Sequence, residues 1–166
     1  RQFIEEALNA LEDVFYVVTP GGQLVRWNDA LLEKSGYEAS EVREMTVEDF
    51  FRDADAERVS ESIATALAEG ADVLEATVVT KYGEEVPYEF RKRRLQRDET
   101  VIGLVGIGRD VSRRQARDQH LRAVDRLLQH NLRNQLNIVL GRAETLQEAG
   151  DGTSAEHAEQ ISTAAE

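Results

Sequence analysis

The feature that most constrains this chain is one unbroken helical pattern from Ser112 to about Ala149. The segment contains no proline, and its first glycine is Gly141. At 1.5 Å per residue, a helix of this length extends roughly 55 Å, far more than a helix that only packs on a small domain. We therefore expect it to pack against other helices.

One face of this helix is apolar. At 100° per residue, one stripe contains Leu121, Val124, Leu128, Leu132, Leu136, Val139, Ala143 and Leu146. Burial of the larger of these side chains, at about 1.5–3 kcal/mol each, would stabilise an assembly by on the order of 10 kcal/mol per chain. The sequence therefore predicts a homodimer held by a coiled coil or helical bundle.

The residues before this helix alternate between short strand and helix patterns. A leading amphipathic helix is predicted within 1–13, and short helices are predicted after Asn28 and Asp53. The strand patterns cover 14–19, 23–27, 73–81, 86–96 and 100–108. The predicted fold class is α+β, with a five-stranded antiparallel sheet, short helices over one face, and the long helix after it.

The expected interior of the sheet domain is apolar and aromatic. It comprises Phe15, Val17, Trp27, Leu31, Phe50, Phe51, Ile63, Leu67, Tyr88, Phe90, Ile102 and Leu104. A domain of this size needs such a core whether or not it also holds a ligand.

Composition excludes several classes of function. The 166 residues carry a net charge of -12, which argues against nucleic acid or anionic lipid as a partner. The chain has no cysteine, so disulfides, thiolate metal sites and cysteine-linked chromophores are excluded. His120, His130 and His157 all follow residue 111, which argues against a histidine-ligated haem inside the sheet domain.

The acidic surface and its shortage of lysine suggest adaptation to a salt-rich environment. Only three of the 20 basic residues are lysines, as we expect of a protein adapted to concentrated salt. No stretch of 18 apolar residues is present, so we expect no membrane segment here and a cytoplasmic location. The first residue is Arg1, and we expect a fragment of a longer protein.

His130 lies on the opposite side of the long helix from the apolar stripe, at roughly 200° from Leu128. We expect it to face solvent. A neutral imidazole is a capable nucleophile toward phosphorus, and with an unperturbed pKa near 6.5 about three-quarters of such groups are neutral at pH 7.

The segment 127–141, and above all HNLRNQLN at 130–137, resembles the phosphoacceptor box of dimeric sensor histidine kinases, in the form found in haloarchaeal members. The resemblance implies that His130 receives the γ-phosphoryl group of ATP and passes it to an aspartate on a response-regulator receiver domain. It implies that Asn134 positions water in the phosphatase reaction.

Asn131 departs from the family pattern. Many relatives carry an acidic general base directly after the histidine, whereas an amide cannot accept that proton and can only orient the imidazole. The glycine-rich lid motif of the family's ATP-binding domain is absent from these residues, so ATP would be used by another domain of the parent protein. We do not expect this polypeptide to phosphorylate itself.

The preceding hundred residues resemble a PAS sensor domain. The resemblance rests on the order of WNDA at 27–30, the Gly36 turn, the Tyr82 hairpin and the exit GIGRDVS at 106–112. In the family, the residue corresponding to Asp110 ties the last strand to the signalling helix, and simple capping of that helix is compatible with this role.

The predicted organisation is therefore a leading helix at 1–13, a PAS sensor at 14–111, a signalling coil and phosphoacceptor helix at 112–149, and a turn with the start of a second bundle helix at 150–166. No cofactor is evident. A non-covalent flavin, another small ligand, or none remain open for the sensor. The alternative function is a non-catalytic PAS dimerisation module of a transcriptional regulator or taxis transducer.

Overall fold

The computed structural model describes residues 1–149 and divides the chain into two compact units. The first unit is Arg1–Arg114, and the second begins at Gln115. The predicted turn and second bundle helix at 150–166 lie outside the described residues.

The first unit is built on a five-stranded sheet with the order β2-β1-β5-β4-β3, in which every neighbouring pair is antiparallel. The strands are β1 (Val14–Val18), β2 (Leu24–Trp27), β3 (Ala71–Val79), β4 (Glu85–Arg97) and β5 (Thr100–Asp110). The predicted antiparallel sheet is confirmed. The pairing of β1 with β5 places the first and last strands side by side at its centre.

The helices precede, connect and follow these strands. They are α1 (Gln2–Asn9), α2 (Asp29–Ser35), α3 (Ala39–Val42), α4 (Ala56–Glu69) and α5 (Ser112–Ala149), with 3₁₀ turns at Val47–Phe50 and Asp53–Asp55. The long helix starts at Ser112 as predicted and continues through Ala149, the last described residue, whereas α1 is shorter than its apolar spacing indicated. No pattern predicted α3 or the first 3₁₀ turn, because a four-residue element is too short to show a period.

The inward face of β1 differs from the prediction. Val14, Tyr16 and Val18 are buried, whereas Phe15 and Val17 are half-buried on the opposite face of the sheet. All five residues of this strand are apolar, so alternation along the sequence cannot choose between its two faces.

Ile102 is also not part of the core, because its side chain is 48 % exposed. It lies where the register between β4 and β5 shifts, in the step from Leu95 opposite Gly103 to Gln96 opposite Val101. Such an irregularity leaves an extra residue unpaired and turns side chains away from their regular direction.

Asn28 joins α1, β1 and α2. Its Oδ1 accepts hydrogen bonds from the backbone amides of Phe15 at 2.9 Å and Leu31 at 3.3 Å, and so caps α2. Its Nδ2 donates to the carbonyl oxygens of Leu8 at 3.0 Å and Asp13 at 2.9 Å. The side chain is 1 % exposed and uses all its amide hydrogen-bonding groups.

Candidate functional site

His130 lies on α5, and its side chain is exposed to solvent, as predicted. The apolar stripe on the other side of this helix is also largely uncovered in the single chain. Leu128 is 56 % exposed and Leu132 is 60 % exposed. The helix thus presents two distinct faces, one carrying an accessible imidazole and one carrying unburied leucines.

The structure brings Asn134 to His130. The Nδ2 of Asn134 lies 3.1 Å from Nε2 of His130, one helical turn away. An amide nitrogen can only donate, so this contact is a hydrogen bond in the neutral tautomer that carries its proton on Nδ1 and leaves Nε2 as the acceptor. In that tautomer Nε2 has the lone pair that a nucleophile requires, and the hydrogen bond from Asn134 occupies it until the nucleophile attacks.

Asn131 is exposed and makes no hydrogen bond to His130 among the described residues. Adjacent residues of a helix point about 100° apart and do not face each other. The orienting role of Asn131 therefore stays a prediction, while Asn134 is the amide that contacts the ring in this structure.

Asp110 ends β5 and caps the start of α5. Its Oδ1 accepts hydrogen bonds from the backbone amide of Ser112 at 2.9 Å and from the Ser112 hydroxyl at 2.5 Å. The intervening Val111 is buried, and its backbone amide donates to the carbonyl oxygen of Pro87 on β4 at 3.0 Å. These hydrogen bonds fix the end of β5 to the start of α5, and both to β4.

The interior of the sheet domain contains a cavity of about 60 Å³. It is lined by Val14, Tyr16, Leu24, Leu31, Lys34, Ser35, Val47, Phe50, Phe51, Val78, Tyr88 and Phe90. Typical ligand pockets measure roughly 300–1,000 Å³, so the cavity as packed is several times smaller than these.

The two tyrosines of this cavity are held neutral. Burial raises the pKa of Tyr16 well above its usual value. Burial, together with the nearby carboxylate of Asp110, raises the pKa of Tyr88 to about 12. Within residues 1–149, no group of three or more histidines and acids is arranged to hold a metal ion.

Sequence reasoning missed Lys92. It follows Tyr88 and Phe90 on the inward face of β4, is only 5 % exposed, and pairs in register with Asp72 on β3. Burial lowers its pKa to about 8, although the carboxylate of Asp72 opposes this shift. Inward residues alternate along β4, and Lys92 follows Phe90 by two positions, so this spacing could have indicated that Lys92 points inward. Lysine is, however, rarely assigned to a core.

No helix in the described part of the chain is long and apolar enough to cross a membrane. No curated protein matches the chain in sequence.

Solved structures share the fold of the first unit. A PAS domain from Colwellia psychrerythraea superposes with a TM-score of 0.62 at 21 % identity, covering 68 % of this chain and 97 % of that one. The PAS domain of an HTR-like protein from Haloarcula marismortui gives a TM-score of 0.58 at 20 % identity, covering 66 % and 89 %.

A domain of a sensory box sensor histidine kinase/response regulator from Geobacter sulfurreducens gives a TM-score of 0.57 at 22 % identity, covering 66 % of this chain and 92 % of that one. At these identities the similarity concerns the fold. The family model described as PAS fold matches residues 8–116, which is more than half of the chain. The chain therefore belongs to the PAS fold family.

Proposed function

We propose that this chain is the sensor and phosphoacceptor portion of a two-component sensor histidine kinase, and that His130 is the phosphorylated residue. The observation that carries the proposal is the accessible imidazole of His130, contacted at Nε2 by the side chain of Asn134, within a segment that resembles the phosphoacceptor box. The solved PAS domains of sensor kinases support the sensor part through their fold.

The uncovered stripe of α5 supports a homodimer. Its leucines would remain in water in a single chain, and their burial against a second copy would contribute on the order of 10 kcal/mol per chain. The same pairing leaves His130 outward on both copies, where a catalytic domain and a receiver domain can reach it. Leu132→Arg should therefore give a monomer by light scattering, whereas Asn137→Arg, on the opposite side of the helix, should not.

The chemistry requires a nucleophile and a route for one proton. The Nε2 lone pair would form the P–N bond as the bond between the γ-phosphorus and the bridging oxygen breaks, and ADP would leave. The ring then carries an extra positive charge until Nδ1 loses its proton. Asn131 cannot accept that proton, so water would take it. In the second reaction a receiver carboxylate attacks phosphorus, the P–N bond breaks, and the ring takes up one proton from water so that it leaves as neutral imidazole.

The test combines the full chain with the ATP-binding domain of a related histidine kinase and ATP labelled at the γ position. We expect acid-labile label on the wild type, no label on His130→Gln, and normal label on His120→Gln, which removes another exposed histidine of α5. The added domain must label its own phosphoacceptor helix in parallel. If it does so and the wild-type chain stays unlabelled, the non-catalytic PAS dimerisation module is favoured instead.

For the sensor we propose either a very small apolar ligand or none, because the cavity as packed is too small for a flavin. An absorbance scan of freshly purified protein tests this directly. A flavin spectrum would contradict it. We also propose a cytoplasmic, salt-adapted parent protein, from the charge of -12 and the few lysines.

A further inference from the structure

The junction between β5 and α5 contains two arrangements that are unfavourable by themselves. Glu75 on β3 and Glu89 on β4 are direct cross-strand partners on the outward face of the sheet, and like charges placed opposite each other destabilise a strand pair. Arg113 and Arg114 lie in the first turn of α5, which contains no acidic residue, although the helix dipole there favours negative charge.

Each arrangement compensates the other. One guanidinium nitrogen of Arg114 donates to Oε1 of Glu75, and another lies 3.5 Å from Oε2 of Glu89. Glu89 also accepts from Nε of Arg91 at 2.9 Å. The Arg114 guanidinium thus lies between two carboxylates that would otherwise repel, and those carboxylates supply the negative charge that the helix start lacks.

We propose that Arg114 is the positioning residue that couples the sensor sheet to the helix carrying His130, by bridging Glu75 and Glu89 to the first turn of α5. Asp110 holds only the end of its own strand, β5, to this turn. Arg114 adds a contact to β3, and a side-chain contact to β4 beside the hydrogen bond from Val111 to Pro87, so a displacement of β3 relative to β4 changes the position of the helix start.

The ion pairs of Arg114 with Glu75 and Glu89 are partly exposed to solvent, as expected of a contact that forms and breaks during signalling. Arg114 and Glu75 are about half exposed, and Glu89 is mostly covered. Exposed ion pairs are weak individually, and a contact that must be made and broken in signalling has to be weak enough for a modest change in the sensor to shift its population. The role in signal transfer rests on the proposed function, whereas the bridge itself does not.

Hydrogen exchange in the full chain tests the bridge. The first four amides of a helix have no intrahelical acceptor, so the amides of residues 116–119 report whether the start of α5 opens. If Arg114 bridges the sheet, Arg114→Gln should speed their exchange roughly fivefold. If Arg114 is ordinary surface, the same change removes a cation from the helix start and exchange should slow or stay constant.

Arg113→Gln is the matched control. Arg113 occupies the same helical turn and makes no ion pair among the described residues, so its replacement should not speed exchange. Arg114→Lys should fall between wild type and Arg114→Gln, because one ammonium cannot span both carboxylates as a guanidinium fork does. Equal exchange in Arg113→Gln and Arg114→Gln would overturn the bridge.

In a double-mutant cycle, Glu75→Gln should change the melting temperature in opposite directions in the presence and in the absence of Arg114. In the wild-type background, Glu75→Gln removes a partner of Arg114 and should lower the melting temperature. In the Arg114→Gln background, the same change relieves repulsion from Glu89 and should raise it. Independent, additive effects of the two changes would contradict the bridge.

The labelling assay for His130 tests the coupling. Arg114→Gln should change the rate of labelling at least twofold, whereas Arg113→Gln should not. Unchanged labelling in Arg114→Gln would overturn the coupling role. If the wild type takes no label at all, the proposed function fails, and the exchange and melting experiments still decide whether the bridge exists.

Discussion

The ring of Tyr16 lies directly over Gly106, its partner in the pairing of β1 with β5, and a Cβ placed on that glycine would fall 2.2 Å from Cζ of the tyrosine. No ordinary contact is this short. The missing side chain on β5 is therefore what allows the tyrosine ring to occupy its buried position in the sheet domain.

Gly106→Ala should lower the free energy of unfolding by about 2–4 kcal/mol, because the added Cβ would overlap the ring of Tyr16 and force it out of its packed position. Urea unfolding followed by the fluorescence of Trp27, the single tryptophan, measures this. Gly83→Ala is the control: its Cβ meets nothing within 4 Å but its φ is +82°, so we expect a loss of about 1 kcal/mol. Equal losses for the two variants would show that the clash is not the cause.

Asn28→Ala should lower the free energy of unfolding by about 2–4 kcal/mol, because it leaves several buried backbone groups without partners. Asn28→Asp keeps the acceptor but loses the donors to Leu8 and Asp13 and buries a charge, so it should not rescue stability. Asn9→Ala, which removes one exposed hydrogen bond to the amide of Asp29, should cost less than about 1 kcal/mol. The same urea unfolding experiment compares all three.

Lys92→Met should stabilise the protein at pH 7 by about 2–3 kcal/mol, because it removes a buried ammonium. The pKa of Lys92 is about 8 in the folded protein and about 10.4 in an unfolded chain. Between these values only the unfolded chain keeps the proton, so the contribution of Lys92 to stability rises with pH. The difference in unfolding free energy between Lys92→Met and wild type should therefore shrink from pH 8 to pH 10. A constant difference would contradict the lowered pKa.

Asn131→Asp should speed phosphorylation of His130 about tenfold or more, because a carboxylate at this position can take the proton of the ring through one water, which the amide cannot do. The initial rate of labelling with the added ATP-binding domain measures this. Asn137→Asp adds the same single negative charge elsewhere on α5 and serves as the control. A similar acceleration in both variants would indicate a general effect of charge.

The melting temperature should rise between dilute and molar KCl if the acidic, lysine-poor surface reflects adaptation to salt. Thermal unfolding monitored by circular dichroism measures this. A melting temperature that is unchanged or lower in molar KCl would count against the habitat inferred from composition.

Much of the candidate site could be predicted from the sequence because it depends on neighbours within one helix. The spacing of the leucines and the position of His130 on α5 follow from 3.6 residues per turn, whatever the rest of the chain does. The contact of Asn134 with the ring has the same origin, since residues four apart are neighbours on a helix.

The sequence by itself determined the strands of the sheet, the start and continuous helical character of α5, the exposed histidine and the absence of cysteine chemistry. Only the tertiary structure decided which face of β1 is buried, that Lys92 enters the core, that Asn28 joins three elements, and that Arg114 meets Glu75 and Glu89. These features depend on which strands lie side by side. That pairing joins residues far apart along the chain, such as Tyr16 and Gly106. The spacing of apolar residues within one strand does not show which strand will lie beside it.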